Sequence, residues 1–109
     1  ILVFDLEIDF AEMVAEFLNL HGAMYAKSVD SLVDVGFTLG RFRPHVLLCT
    51  DEIGVTALGR VLHCADALDT RVIVATNGQA RSFEALGVEI DQNDIVEKPL
   101  KLDALLKII

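Results

Sequence analysis

The sequence predicts an α/β domain built on a doubly wound, five-stranded parallel sheet with helices on both faces. Three observations predict it. Short apolar runs closed by polar residues recur at 1–4, 46–49, 72–75 and 95–96. Their continuous hydrophobicity marks strands buried on both faces. Between them lie segments whose apolar residues recur at helical spacing. Strand and helix then alternate along the whole chain, which implies right-handed βαβ units and a parallel sheet.

Each element follows in order. Ile1-Leu2-Val3-Phe4 is a buried strand closed by Asp5. Phe10, Met13, Val14, Phe17 and Leu18 mark one face of a helix, with Asp9 as N-cap and Gly22 as the stop. Residues 23–27 read as a second, weaker strand. Leu32, Val35 and Leu39 space a short helix that ends at Gly40. After Pro44 comes the strand Val46-Leu47-Leu48-Cys49, ending at Thr50-Asp51-Glu52. Leu58, Val61, Leu62 and Ala65 mark a third helix. Arg71 leads into the strand Val72-Ile73-Val74-Ala75, which ends at Thr76-Asn77-Gly78. A shortened fourth helix is expected around Arg81–Leu86, stopping at Gly87. Ile95-Val96 ends the last strand before Lys98-Pro99, and Leu102, Leu105, Leu106 and Ile109 give a closing helix.

Composition narrows the function. At 109 residues the chain is expected to be a single domain over 1–109, and, as it opens without a Met, it is expected to be a piece of a longer chain. The formal net charge is −8, and of the nine basic residues only Arg41 and Arg43 lie close together. That excludes the electrostatic footprint of a nucleic-acid-binding domain. No apolar run approaches the roughly 20 residues a membrane-spanning helix needs, and no signal-peptide pattern is visible within these residues. Cys49 and Cys64 form no CxxC pair, which points to a reducing, cytoplasmic setting with both thiols as buried small hydrophobes. His21, His45 and His63 share no spacing suited to a metal.

In open parallel sheets ligands gather beyond the carboxyl ends of the strands. The polar residues there are Asp5, Glu7, Thr50, Asp51, Glu52, Thr76, Asn77 and Lys98.

Four pieces, in order, resemble the response-regulator receiver domains of the CheY-like superfamily. They are Ile1-Leu2-Val3-Phe4-Asp5-Leu6-Glu7, Pro44-His45-Val46-Leu47-Leu48, Val72-Ile73-Val74-Ala75-Thr76, and Glu97-Lys98-Pro99. The resemblance covers the whole chain and implies a flavodoxin-like topology. It also implies bacterial two-component signalling, in which a phosphoryl group passes from a histidine kinase to an Asp at the end of the third strand. A Mg²⁺ held by an acidic pair at the first strand cancels charge there. A Lys contacts the phosphoryl oxygens, a Thr or Ser hydroxyl bonds them, and an aromatic residue on the fifth strand follows the movement.

By that resemblance Asp5 matches the first acid of the pair, Leu6 replaces the second, and Glu7 matches the acid that follows. Asp5 is then the one residue left to ligate a metal. Thr50 falls at the phospho-acceptor position, with Gly54 in the loop where Pro is common. Thr76 and Lys98 match the hydroxyl and the lysine. Ile95 stands at the switch position in place of the aromatic, and a cis peptide is implied before Pro99. A one-residue slide makes Asp51 the acceptor instead. Because side chains alternate along a strand, only one of Thr50 and Asp51 is expected to face the pocket.

The leading expectation is a non-enzymatic, atypical receiver that works by protein–protein interaction without Mg²⁺-dependent aspartyl phosphorylation, with Lys98 paired directly to Asp5 and no cofactor. Its partners would be a histidine kinase, an output domain or another protein. A homodimer is left open, because the shortened fourth helix reshapes the face most receivers use for pairing. The alternative is a phospho-receiver that accepts on Asp51 and uses Mg²⁺. A third reading is a small α/β enzyme with Cys49 as nucleophile, which lacks a positioned base or a phosphate-binding glycine loop.

Overall fold

Parallel pairing of the apolar runs builds the sheet. The computed structural model describes residues 1–22, 25–76 and 90–109. Its strands are β1 (Leu2–Phe4), β2 (Lys27–Val29), β3 (Val46–Thr50), β4 (Arg71–Thr76) and β5 (Ile95–Glu97). They lie in the order β2-β1-β3-β4-β5, every pair parallel. This is the flavodoxin-like order, with its switch point between β1 and β3. The described helices are α1 (Ile8–His21), α2 (Leu32–Phe42), α3 (Val55–Ala67) and α4 (Leu102–Ile108). Short 3-10 turns occupy Asp51–Ile53 and Gln92–Asp94. The helix expected around Arg81–Leu86 lies outside the described residues, so α4 is the closing helix of the sequence.

Alternation along each strand divides the core between the two faces of the sheet. Leu47 and Cys49 of β3 join Leu2, Phe4, Val72 and Val74 in one layer, beneath Val35 and Leu39 of α2 and Leu58 and Val61 of α3. Val46 and Leu48 join Val3, Ile73 and Ala75 in the other, beneath α1 and Leu105 of α4. At the amino-terminal edge Arg71 ties the start of β4 to the turn before β5 and to the end of α4. Its guanidinium donates to Asp94 Oδ1 at 2.8 Å and to the carbonyl of Ile108 at 2.6 Å.

Several local expectations shift. The second strand is Lys27–Val29; of the expected 23–27, residues 23 and 24 lie outside the described residues, and Tyr25 and Ala26 precede the strand. Asn19 near the end of α1 accounts for this: its amide accepts from the Ala26 N–H at 2.7 Å and donates to the Ala26 carbonyl at 3.0 Å. Ala26 is thereby tied to the helix, and pairing with β1 begins one residue later. Asp9 is not the N-cap of α1, which starts at Ile8 after Glu7 with no side-chain cap. It sits in the first turn, where a carboxylate still favours the positive end of the helix dipole.

The buried face of α1 is Ala11, Val14, Ala15 and Leu18. Met13 is 50% exposed, and Phe10 and Phe17 are only partly buried. Two small alanines let the helix approach the sheet closely, which rotates the larger side chains outward. α2 runs past Gly40 to Phe42 and ends where Arg43 turns left-handed at φ 46°. Its start follows the sequence: Ser31 Oγ accepts the Asp34 N–H at 3.2 Å. Of the two thiols, Cys49 is buried as expected and Cys64 is exposed on α3. Among the described residues no helix is long and apolar enough to cross a membrane.

Candidate functional site

Three strands end level at the carboxyl edge because the register sets Phe4 beside Cys49 and Thr50 beside Ala75. Asp5, Thr50 and Thr76 are therefore neighbours, and all three are buried. Lys98 arrives from the end of β5, its N–H donating to the Thr76 carbonyl at 2.8 Å. The peptide joining it to Pro99 is cis, as the sequence resemblance implies.

The Lys98 ammonium is the centre of the arrangement. It donates to Asp5 Oδ2 at 3.1 Å, to Thr50 Oγ1 at 3.0 Å and to Glu52 Oε1 at 3.4 Å. Its three N–H donors thus match three oxygens. The Lys98 and Asp5 side chains are only 14% and 5% exposed. The ammonium also lies 5.6 Å from the centre of the Phe10 ring, within cation–π range. Burial by itself would lower its pKa. The hydrogen bond and charge of Asp5, joined by Glu52, outweigh burial and hold it above its ordinary value.

Each oxygen of Asp5 has a partner: Oδ1 accepts the Glu7 N–H at 3.0 Å and Oδ2 accepts from Lys98. Glu7 itself enters through its backbone, and its side chain is exposed. Leu6 is 48% exposed and offers no oxygen. Among the described residues no group of three or more His, Cys, Asp and Glu side chains could hold a metal ion.

Thr50 and Asp51 both reach the pocket, which corrects the expectation that only one could. Thr50 Oγ1 accepts from Lys98 and from the Glu52 N–H at 3.2 Å. Asp51 Oδ2 accepts the Thr76 hydroxyl at 2.6 Å. Strand alternation fails as a guide because β3 stops at Thr50 and Asp51 opens the 3-10 turn. There the backbone no longer flips successive side chains to opposite sides. Ile95 starts β5 and packs against the core layer that contains Val74. Asn77 lies outside the described residues.

Two contacts are not implied by the sequence. Glu52 is expected at the carboxyl edge, but its bond to Lys98 arises only because the turn after Thr50 curls it back over the ammonium. Phe10 is expected only as part of the apolar face of the first helix, and its ring lies near the ammonium instead. No sequence signal singles out Phe10.

The remaining thiol candidate is poorly suited to catalysis. Burial, then the Asp5 and Asp51 carboxylates, push the Cys49 pKa up to about 12 against the opposing charge of Lys98. A nucleophilic cysteine needs an accessible thiolate, and Cys49 is buried, its thiol donating to the Thr50 carbonyl at 3.4 Å.

No family model matches the chain, and no curated protein matches its sequence. Solved structures do match its shape. A response-regulator signal receiver domain from Bermanella marisrubri superposes with TM-score 0.78 at 22% identity, covering 97% of this chain and 90% of that one. The receiver domain of the Francisella response regulator 1452 gives 0.76 at 17% identity, covering 97% and 88%. NtrX from Brucella abortus gives 0.72 at 19% identity, covering 98% of this chain and 24% of that longer one. Strand order, the placement of the polar residues and these likenesses agree: the chain has the CheY-like receiver fold of response regulators.

Proposed function

We propose that this chain is a receiver module of two-component signalling whose pocket is held by Lys98 rather than by Mg²⁺ and a phosphoryl group. One observation carries the reading: the Lys98 ammonium spends its donors on Asp5, Thr50 and Glu52. A cation already sits among the oxygens that a metal would need. Mg²⁺ demands near-octahedral oxygen ligands and binds through carboxylates. Here Leu6 replaces one acid, and Asp5 already shares its charge with the Lys98 ammonium. The donor set does not fit the ion. Ile95 in place of an aromatic removes the side chain that would report a change of state. On this reading the module works in the cytoplasm by binding a histidine kinase, an output domain or another protein. The matched portion of NtrX is about a quarter of that chain, which supports attachment to a longer regulator.

A second reading keeps Asp51 as a phospho-acceptor, favoured by the 2.6 Å hydrogen bond from Thr76. Titration with Mg²⁺ and beryllofluoride, followed by amide shifts at Thr76 and Lys98, separates the two. Exposure to acetyl phosphate with mass analysis completes the test. We expect no saturable shift and no added phosphoryl group. Incorporation that Asp51→Asn abolishes would establish the second reading and remove the first.

A further inference from the structure

We propose that the outward face of α2 docks a second copy of this chain, the two α2 helices packing antiparallel about a two-fold axis. The inference is independent of the pocket chemistry.

α2 turns Val35, Thr38 and Leu39 inward. Its opposite face carries Val33, 82% exposed, and Phe37, 62% exposed, one helical turn apart. Arg41 continues the ridge by another turn, its guanidinium 4.8 Å from the centre of the Phe37 ring. Beside the ridge lie Gly36 and Gly40, also one turn apart. A Cβ at either would meet nothing within 4 Å. No packing within the chain therefore requires glycine there, although each costs about 1 kcal/mol against alanine in a helix. Together they leave a shallow groove next to a large exposed ring, the relief by which one helix seats on another.

The charges fit one arrangement. Asp34 lies in the first turn and Arg41 in the last. Seven residues apart, they lie at nearly the same angle around the helix axis, two turns from each other. A two-fold axis midway between them sets Asp34 of one copy opposite the partner's Arg41, and repeats the pair by symmetry. A parallel arrangement would instead align like charges. With a net charge of −8, self-association elsewhere on the surface works against repulsion. On α2 the two ends offset each other. The helix dipole accounts for an acid at one end and a base at the other, but not for an exposed Phe beside two unconstrained glycines.

One helix face is smaller than the roughly 800 Å² per partner of a standard interface. The dimer is accordingly weak, with a dissociation constant on the order of 0.1–1 mM. Sedimentation equilibrium and concentration-dependent amide shifts of the 109-residue chain measure it. We expect dimer formation with shifts centred on α2. Phe37→Glu, Asp34→Arg and Arg41→Asp should each weaken association by about tenfold or more. The double variant Asp34→Arg/Arg41→Asp should recover the parent affinity to within about threefold, because the swapped charges pair again. Circular dichroism verifies that every variant is folded. A chain that stays monomeric, shifts centred on another face, or a folded double variant that fails to recover would each overturn the proposal.

Discussion

A lysine ammonium tolerates burial when its N–H donors are used and a carboxylate balances its charge. Lys98 meets both conditions, and the same geometry makes Asp5 depend on it. Lys98→Met would leave a buried carboxylate with no cation. A loss of about 3 kcal/mol is expected from urea unfolding, in the range for breaking a buried ion pair from one side. The folded-state pKa of Lys98 is raised above its ordinary 10.5. Its stabilising contribution is therefore fully present below that pH and is lost as pH rises through the raised value. In Lys98→Met this share of the alkaline loss should vanish, which stability measured from pH 8 to 12 would check. The resemblance to receivers singled out Asp5 and Lys98, and the strand ends brought Glu52 into their neighbourhood. Neither could reveal Glu52 as a partner, because that contact depends on how the turn after Thr50 curls.

The turn between β3 and α3 shows how one backbone angle shapes an element. Gly54 has φ 89° and ψ 159°, a region open essentially to glycine alone. The resemblance places Pro commonly at this position, yet a Pro ring fixes φ near −65°. Gly54 is thus suited to this particular turn, which carries Asp51 and Glu52 over the strand ends. Gly54→Ala should cost about 1–3 kcal/mol. An added Cβ meets nothing within 4 Å, so the cost arises in the backbone and a crowded neighbour contributes none of it. Denaturant unfolding measures it, and a neutral result would show that the turn relaxes to another conformation. The same turn explains the failed choice between Thr50 and Asp51: strand periodicity holds only while the chain remains a strand. At α1 the amphipathic period was correct, but the buried arc lay toward Ala11 and Ala15 rather than Met13.

Across the whole molecule, stability rests on a sheet covered on both faces, with β1, β3 and β4 at its centre. Leu47 of β3 is fully buried in the layer beneath α2 and α3. Leu47→Ala should cost about 2–5 kcal/mol through lost transfer energy and a residual cavity. Against a typical total of roughly 5–15 kcal/mol, that fraction would be plain in the urea midpoint. A loss below about 1 kcal/mol would mean that the two layers close around the gap. The parallel α/β architecture was legible in the residues, because continuous apolar runs and helical spacing are local patterns that solvent exclusion converts directly into strands and helices. Sequence also pointed to Asp5, Thr50, Asp51, Glu52, Thr76 and Lys98 at the carboxyl edge, since chain order and strand direction leave little freedom there, although Glu7 on the same reasoning enters only by its backbone. Tertiary structure alone decided which oxygens Lys98 holds, that Thr50 and Asp51 share the pocket, and which arc of α1 is buried. Those outcomes depend on where β3 ends, how the next turn bends and how closely a helix can approach the sheet, and none of these is written in a local period.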